Sequence, residues 1–154
     1  MDGVELFLLG RTLMKIGEEA LPTEGIGRHS TSVRTVLIVA SDVRAHPGSA
    51  VGEIAARTGL PQSAVSAAVA RLRGVGAVDT EPDPDDRRRV RIHPASRPSA
   101  RVEEVRAGSI AAALAVALDT DDPQRVAETV SLLEELARHL PPQVVTRLRG
   151  SSPA

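Results

Sequence analysis

The stretch Ser49–His93 constrains the fold of this chain more than any other part of the sequence. Two short amphipathic segments, residues 50–58 and 61–73, are separated by a tight turn that contains a glycine. Pro61 suits the first position of a helix, and glycine is the usual residue just past a helix end. A short strand, a Pro/Asp-rich turn and a returning strand follow over residues 77–93. This order is the outline of a winged helix-turn-helix.

The second short helix of this stretch has one apolar face and one face of small, polar side chains. Residues that recur at helical spacing and are expected to face inward are Val65, Ala68, Val69 and Leu72. The opposite face carries Gln62, Ser63, Ser66, Ala67 and Ala70. A recognition helix presents such a face, from its N-terminal end, to the major groove of DNA. The pattern alone also fits an ordinary amphipathic helix with an alanine-rich solvent face.

The predicted hairpin carries a dense basic cluster directly after an acidic turn. Arg87–Arg89, with Arg91 close behind, begin the returning strand, which is predicted over residues 87–93. A charge run is usually a solvated face, but the tip of a wing is where arginine meets the DNA backbone or the minor groove. Asp83, Asp85 and Asp86 cannot all face phosphates, so at least one is expected to pair with an arginine. Metal binding by these aspartates is disfavoured, because nothing supplies a matching ligand set.

Amphipathic helices are predicted on both sides of the stretch. Apolar spacing predicts a first helix over residues 2–21, and Ser32 is placed to cap a second that ends near His46. The same spacing predicts a long helix over residues 99–119 and another over residues 123–140. The first and last helices carry more aliphatic surface than one small winged domain can cover. We therefore expect a homodimer packed through them.

The predicted fold is mainly α-helical, a winged helix-turn-helix with a small β-hairpin wing and N- and C-terminal dimerisation helices. An N-terminal dimerisation helix and linker occupy residues 1–31, and the winged domain occupies residues 32–98. The C-terminal dimerisation helices occupy residues 99–148, with a last short turn around residues 144–148. A disordered tail is expected over residues 149–154.

Composition narrows the class of protein further. Only one of the 154 residues is aromatic, so the core must be aliphatic, and the absence of cysteine excludes disulfides and thiol chemistry. Apolar runs are too short to span a bilayer and no secretory signal is apparent, which predicts a cytoplasmic protein without a membrane partner. The net charge is −1, yet residues 51–100 carry eight basic and six acidic side chains. The basic excess therefore lies in the winged stretch.

Several motifs in order resemble the MarR family (multiple antibiotic resistance regulators). They are residues 51–60, residues 62–66, Arg71-Leu72, residues 76–78 and residues 83–88, covering much of residues 33–93. The family's wing signature is an aspartate, then an Arg-Asp pair, then an arginine. Asp83, Asp86 and Arg88 match it, whereas Asp85 stands where the family usually has arginine. Ala67 replaces a residue that is often larger and polar or basic in relatives.

The resulting candidate DNA contacts fall into three groups. Base-edge contacts are expected from Gln62, Ser63 and Ser66, with Ala67 on the same face. Backbone phosphates are expected to meet Arg57, Arg71 and Arg73, which position the protein without specifying sequence. The wing contributes Arg87, Arg88 and Arg89, while Asp83 and Asp86 are expected to shape the wing.

The leading hypothesis is that the chain is a homodimeric transcriptional regulator. It would be a repressor that binds a pseudo-palindromic operator in double-stranded DNA when its effector is absent. The resemblance also implies a small lipophilic or anionic effector. Arg11, His29 and Arg34 could meet an anionic ligand, although ordinary surface positions are the simpler explanation. The four histidines lack metal-ligand spacing, and no cofactor is indicated.

Two other classes of function were weighed against this hypothesis. A winged-helix module that binds protein instead of DNA is favoured by the near-neutral charge and by Ala67, Ala70 and Asp85. An enzyme is disfavoured, because no nucleophilic cysteine, glycine-rich phosphate loop, serine elbow or recognisable His–carboxylate pair is apparent.

Overall fold

The described part of the chain is helical apart from one β-hairpin. The computed structural model describes residues 1–21, 32–141, 144 and 147–148. Its elements are α1 (Gly3–Ala20), α2 (Val33–Ala45), α3 (Val51–Thr58), α4 (Gln62–Gly74), β1 (Val78–Pro82), β2 (Val90–Pro94), α5 (Ala100–Ala107), α6 (Ala111–Ala117) and α7 (Pro123–His139). Within these described ranges, no helix is both long enough and apolar enough to cross a bilayer. The predicted fold class, a mainly α-helical winged helix-turn-helix, is confirmed.

The described residues fall into two compact units. One contains α1, α6 and α7, formed by residues 1–21 and 105–141. The other contains α2, α3, α4 and the hairpin, within residues 32–104.

The second unit has an aliphatic core, as the composition predicts. Its buried side chains are Val39, Val43, Ile54, Val65, Ala68, Val69, Leu72, Val78 and Ile92. They come from all three helices and both strands, so α4 and the hairpin share one core. Burial of this apolar surface is the main force that holds the two together.

Helix starts follow the capping signals in the sequence. The Ser32 hydroxyl accepts a hydrogen bond from the backbone N–H of Thr35 at 3.2 Å, as predicted. The Asp122 carboxylate accepts one from the N–H of Gln124 at 2.9 Å, directly before a proline in the first turn of α7. These caps satisfy backbone donors that a helix leaves without partners.

The hairpin is antiparallel and is joined on one side by the loop before α3. Thr80 faces Ile92 in the strand register. The N–H of Ile92 donates to the carbonyl of Ser49 at 3.0 Å, and the N–H of Gly48 donates to the carbonyl of Ile92 at 2.8 Å. Gly48 has a φ of 82°, and a Cβ there would lie 3.2 Å from Cε1 of His93. Both facts require glycine at this turn.

The first unit leaves much of its apolar surface uncovered. Helix α1 has no buried residue, although its apolar side chains recur at helical spacing. Phe7 is 74% exposed, and on α7 Leu132 is 67% exposed. Leu114 of α6 and Val126 of α7 are the buried hydrophobic residues among those described in this unit. An exposed apolar surface of this kind usually marks an interface.

Two sequence-based boundaries were wrong. The single helix predicted over residues 99–119 is two helices, α5 and α6, separated at residues 108–110. Gly108 weakens the helix there, and the Ser109 hydroxyl accepts from the N–H of Ala111 at 3.1 Å, which starts α6 separately. The returning strand begins at Val90 instead of Arg87, so the three wing arginines lie in a loop.

Some predictions fall outside the described residues. The linker over residues 22–31, His29 within it, and the tail over residues 149–154 are not among them. Of the predicted last turn, residues 144, 147 and 148 are described and are helical.

Candidate DNA-binding surface

Helix α4 is fixed in the second unit by its apolar face. Its four inward residues are all buried, as predicted, and they are Val65, Ala68, Val69 and Leu72. On the other side, Gln62, Ser63 and Ser66 are exposed, and Ala67 is half-buried. Pro61 precedes the helix, and no side chain caps its first turn. The first turn therefore offers backbone N–H groups together with small side chains, which permits close approach to another molecule.

The turn between α3 and α4 is short because a glycine ends α3. Gly59 adopts a left-handed conformation with φ 68°, and its N–H donates to the carbonyl of Ala55 at 2.8 Å. The Thr58 hydroxyl donates to the carbonyl of Ile54 at 2.7 Å. Only three residues, 59–61, separate the two helices. The middle one, Leu60, packs against the core. This geometry holds α4 at a defined angle to α3.

The wing loop, residues 83–89, is held by bonds to its own backbone. The N–H of Asp83 donates to the carbonyl of Arg89 at 2.9 Å, and the N–H of Arg89 donates to the carbonyl of Asp86 at 2.8 Å. The carboxylate of Asp83 accepts from the N–H of Asp85 at 2.9 Å. The carboxylate of Asp86 accepts from the N–H of Arg88 at 3.0 Å. Short aspartate side chains commonly stabilise turns in this way.

Asp83 and Arg91 form an ion pair at the base of the wing. Nε of Arg91 lies 3.1 Å from one Asp83 oxygen, and Nη2 lies 3.3 Å from the other. The backbone N–H of Asp85 and the Arg91 guanidinium together lower the pKa of Asp83 below its ordinary value. The same carboxylate raises the pKa of Arg91. Arg91 belongs to the basic cluster in the sequence, but in the structure it pairs with the acidic residues Asp83 and Asp85 of the wing loop.

Replacing Asp83 with asparagine is expected to loosen the wing loop, because it removes the charge that Arg91 binds. Hydrogen exchange at the amides of Asp85 and Arg89 should become faster. A lowered folded-state pKa means that this stabilisation is present above the ordinary value of 3.8 and is lost as the pH falls through the folded value. Asp85→Asn is the matched control, since that carboxylate is 91% exposed and 3.8 Å from Arg91. Equal exchange in the two variants would contradict this role.

The three wing arginines are exposed at the loop. Among the described residues, the side chains of Arg87 and Arg88 make no hydrogen bond or ion pair. Nη2 of Arg89 lies 3.7 Å from a carboxylate oxygen of Glu53, whose other oxygen accepts from the N–H of Ala50 at 2.7 Å. Arg89 thus links the wing to the start of α3, while the other two guanidinium groups face solvent.

The three predicted phosphate contacts have different surroundings. Arg73 is exposed near the end of α4, and Arg71, two residues earlier on the same helix, is half-buried. Arg57 is paired with Asp42 of α2, with Nη2 at 2.7 Å from the carboxylate. Asp42 and Ser49, which bind Arg57, were not selected from the sequence. Their separation from Arg57 by 15 and 8 residues follows no helical spacing that could have indicated the contact.

Two of the three residues predicted to meet an anionic ligand lie within the described part of the chain. Arg11 lies on α1 and Arg34 on α2, both exposed. A groove of about 540 Å³ lies between α6 and α7, and its lining includes Ala111, Ala115 and Val126. Across residues 1–21 and 32–141, no cluster of three or more histidine, aspartate or glutamate side chains is arranged to hold a metal ion.

Comparisons with known structures support the fold. The YusO protein from Bacillus subtilis is 23% identical over 90% of this chain and 99% of that chain, with a TM-score of 0.53. The transcriptional regulator PA4135 is 18% identical over 99% of both chains, with a TM-score of 0.55. A MepR-like protein, solved in complex with pseudoligands, is 20% identical over 89% of this chain and 92% of its own, with a TM-score of 0.50. These likenesses concern the fold.

Similarity to one family is found at the level of sequence. No curated protein matches the chain significantly. The MarR family model matches residues 39–89, from the middle of α2 to the last wing arginine. These are the residues that carry the helix-turn-helix and the wing loop, and the match confirms the resemblance found in the motifs. The winged helix-turn-helix of this chain is therefore similar to that of the MarR family.

Proposed function

We propose that this chain is a homodimeric transcriptional regulator that represses by binding a pseudo-palindromic operator in duplex DNA. The observation that carries the proposal lies within one compact unit. There, α4 turns a small polar face to solvent, and the wing loop exposes Arg87 and Arg88 without partners among the described residues. A solvent-facing recognition helix and a basic wing are the two parts that such proteins apply to a major groove and its flanks.

Each part of this surface has a proposed role. Gln62, Ser63 and Ser66 contact base edges, and Ala67 allows the helix to approach closely. Arg71 and Arg73 are proposed to meet backbone phosphates. On the wing, Arg87 and Arg88 supply charge to the minor groove or backbone, and Arg89 is shared with Glu53.

The exposed apolar surface of the first unit supports the proposed homodimer. No residue of α1 is fully buried, and Leu132 and Leu136 of α7 are exposed, as is Leu140 directly after it. A second copy of the chain carries the same surface and would cover it symmetrically. Two copies would present their recognition helices about 34–36 Å apart, one turn of DNA.

A small lipophilic or anionic effector is a further part of the proposal. The structurally similar MepR-like protein was solved with pseudoligands bound. By analogy, an effector would release the operator by favouring a dimer geometry that no longer matches the DNA spacing. A panel of small aromatic acids, added to the operator complex in a mobility-shift assay, would test for release.

Selection of bound duplexes from a random library tests the proposed function most directly. We expect an inverted repeat whose half-sites are centred about 10–10.5 base pairs, or a multiple, apart. Binding of random duplex at low salt should also appear and vanish as salt rises. No enrichment, together with no binding at low salt, would reject DNA binding and favour the protein-interaction alternative.

Asp85 is expected to weaken binding, because it places a negative charge on the exposed wing loop. Replacing it with arginine should tighten binding to operator and random duplex about fivefold and steepen the salt dependence by about one released ion. Asp85→Asn should give an intermediate affinity, since it removes repulsion without adding a contact. Fluorescence anisotropy with labelled duplex at several salt concentrations measures both quantities. Unchanged affinity in both variants would mean that the loop does not approach DNA.

A further inference from the structure

Arg57 is engaged by other side chains of its own unit. Its Nε donates to both carboxylate oxygens of Asp42, at 3.0 and 3.2 Å, and its Nη2 donates to one of them at 2.7 Å. The same Nη2 donates to the hydroxyl of Ser49 at 2.7 Å. The side chain of Asp42 is 10% exposed and that of Arg57 is 26% exposed. Because two nitrogens of the guanidinium bind the same carboxylate, the pair fixes the orientation of the guanidinium in addition to supplying charge attraction.

Ser49 connects this ion pair to the wing. It is a buried residue whose hydroxyl accepts from Arg57 and donates to the carbonyl of His46 at 2.8 Å. Its backbone carbonyl accepts the N–H of Ile92 at 3.0 Å, and Ile92 is fully buried on β2. A continuous series of bonds therefore runs from Asp42 of α2, through Arg57 of α3 and Ser49, to the returning strand of the wing.

We propose that Arg57 is a positioning residue for DNA binding, which holds the wing strand against the helix-turn-helix instead of contacting a phosphate. The inference rests on the proposed DNA-binding function. The wing arginines stand three to five residues before Ile92 in the chain, so the angle of β2 decides where their guanidinium groups point. Asp42 raises the pKa of Arg57, which agrees with a stable pair. Loss of the pair should leave the contacts proposed for α4 in place but misalign the wing and weaken its contacts to DNA.

The substitution R57K separates this role from a phosphate contact. Lysine keeps the positive charge but lacks the planar fork that binds Asp42 and Ser49 together. We expect R57K and D42N each to weaken operator binding about tenfold and to lower the slope of log affinity against log salt by about 0.9 for each wing contact that is lost. The double variant should bind no more weakly than either single one, because both disrupt the same interaction. R44K is the matched control, since Arg44 is exposed on α2, and it should bind like the wild type.

A phosphate contact would give a different set of results. R57K would then bind almost normally with an unchanged salt slope, and D42N would bind as well as or better than the wild type. Any of these results would overturn the proposal. Thermal unfolding followed by circular dichroism establishes that each variant is folded. If D42N fails to fold, S49A removes the two hydrogen bonds of the serine hydroxyl, to Arg57 and to His46, and should still weaken binding.

Mobility of the wing gives a readout that needs no DNA. The chain contains no cysteine, so R87C can carry a single spin label at the wing loop. The label should be more mobile with R57K or D42N than in the wild-type background, and unchanged with R44K. Equal mobility in all four backgrounds would reject the positioning role. If wild-type protein bound no duplex, the proposed function would fail, yet this comparison would still decide whether Arg57 orders the wing.

Discussion

Replacing Phe7 with aspartate is expected to convert the dimer into monomers and to abolish tight operator binding. Phe7 is the one aromatic residue of the chain, and it is 74% exposed on a helix with no buried residue. A buried side chain of this size contributes about 1.5–3 kcal/mol, and an unpaired carboxylate in its place would have to be desolvated. The proposed dimer interface should not tolerate that charge.

The effect on DNA binding should be large, because a monomer offers one recognition helix instead of two. Loss of the second, linked contact typically reduces affinity 100-fold or more. Sedimentation at micromolar concentration should show wild-type protein at twice the 16.2 kDa of one chain and the variant at 16.2 kDa. Thr12→Asp is the control, since Thr12 is an exposed polar residue on the same helix. A dimeric Phe7→Asp protein, or a monomeric wild type, would contradict the proposed interface.

Replacing Arg88 with alanine is expected to weaken binding to any duplex and to flatten the salt dependence. Arg88 is exposed in the wing loop, and its backbone N–H is held by Asp86. The backbone bond should survive the substitution, so only the guanidinium is lost. A lost phosphate contact lowers the slope of log affinity against log salt by about 0.9, and its electrostatic contribution is independent of base sequence. Affinity at low salt should therefore fall about tenfold for operator and random duplex alike.

The matched control for Arg88 is an exposed arginine with no proposed contact to DNA. Arg125 of α7 meets this description, and Arg125→Ala should leave both affinity and slope unchanged. Fluorescence anisotropy at four or more salt concentrations gives the slope for each protein. A variant that loses affinity for the operator alone would point to base readout by Arg88. Unchanged slope and affinity would remove the wing from the DNA-binding surface.

Local signals predicted the helix-turn-helix closely. The helices predicted over residues 50–58 and 61–73 are observed at Val51–Thr58 and Gln62–Gly74. Both boundaries depend on neighbouring residues, Gly59 in a left-handed turn and Pro61 before the first helical turn. The apolar face of α4 was also predicted, because helical periodicity decides which side chains can share a core.

Interactions with the backbone of near neighbours explain the boundaries that were wrong. Apolar spacing continued through residues 108–110 and hid the break, where Ser109 starts a new helix. In the wing, Asp83 and Asp86 bind backbone groups and extend the loop to Arg89. Periodicity is insensitive to such bonds, since they change the path of the chain without changing its hydrophobic pattern.

The sequence by itself determined the helix-turn-helix, the aliphatic core and the similarity of this segment to the MarR family. These depend on spacing, capping and motif order, which are properties of residues close together in the chain. Only the tertiary structure decided the partners of the arginines. Arg57 binds Asp42 across 15 residues, Arg91 binds Asp83, and Arg87 and Arg88 have no partners among the described residues. Ion pairing acts through space, so identical residue types acquire different roles once the fold brings particular carboxylates within reach.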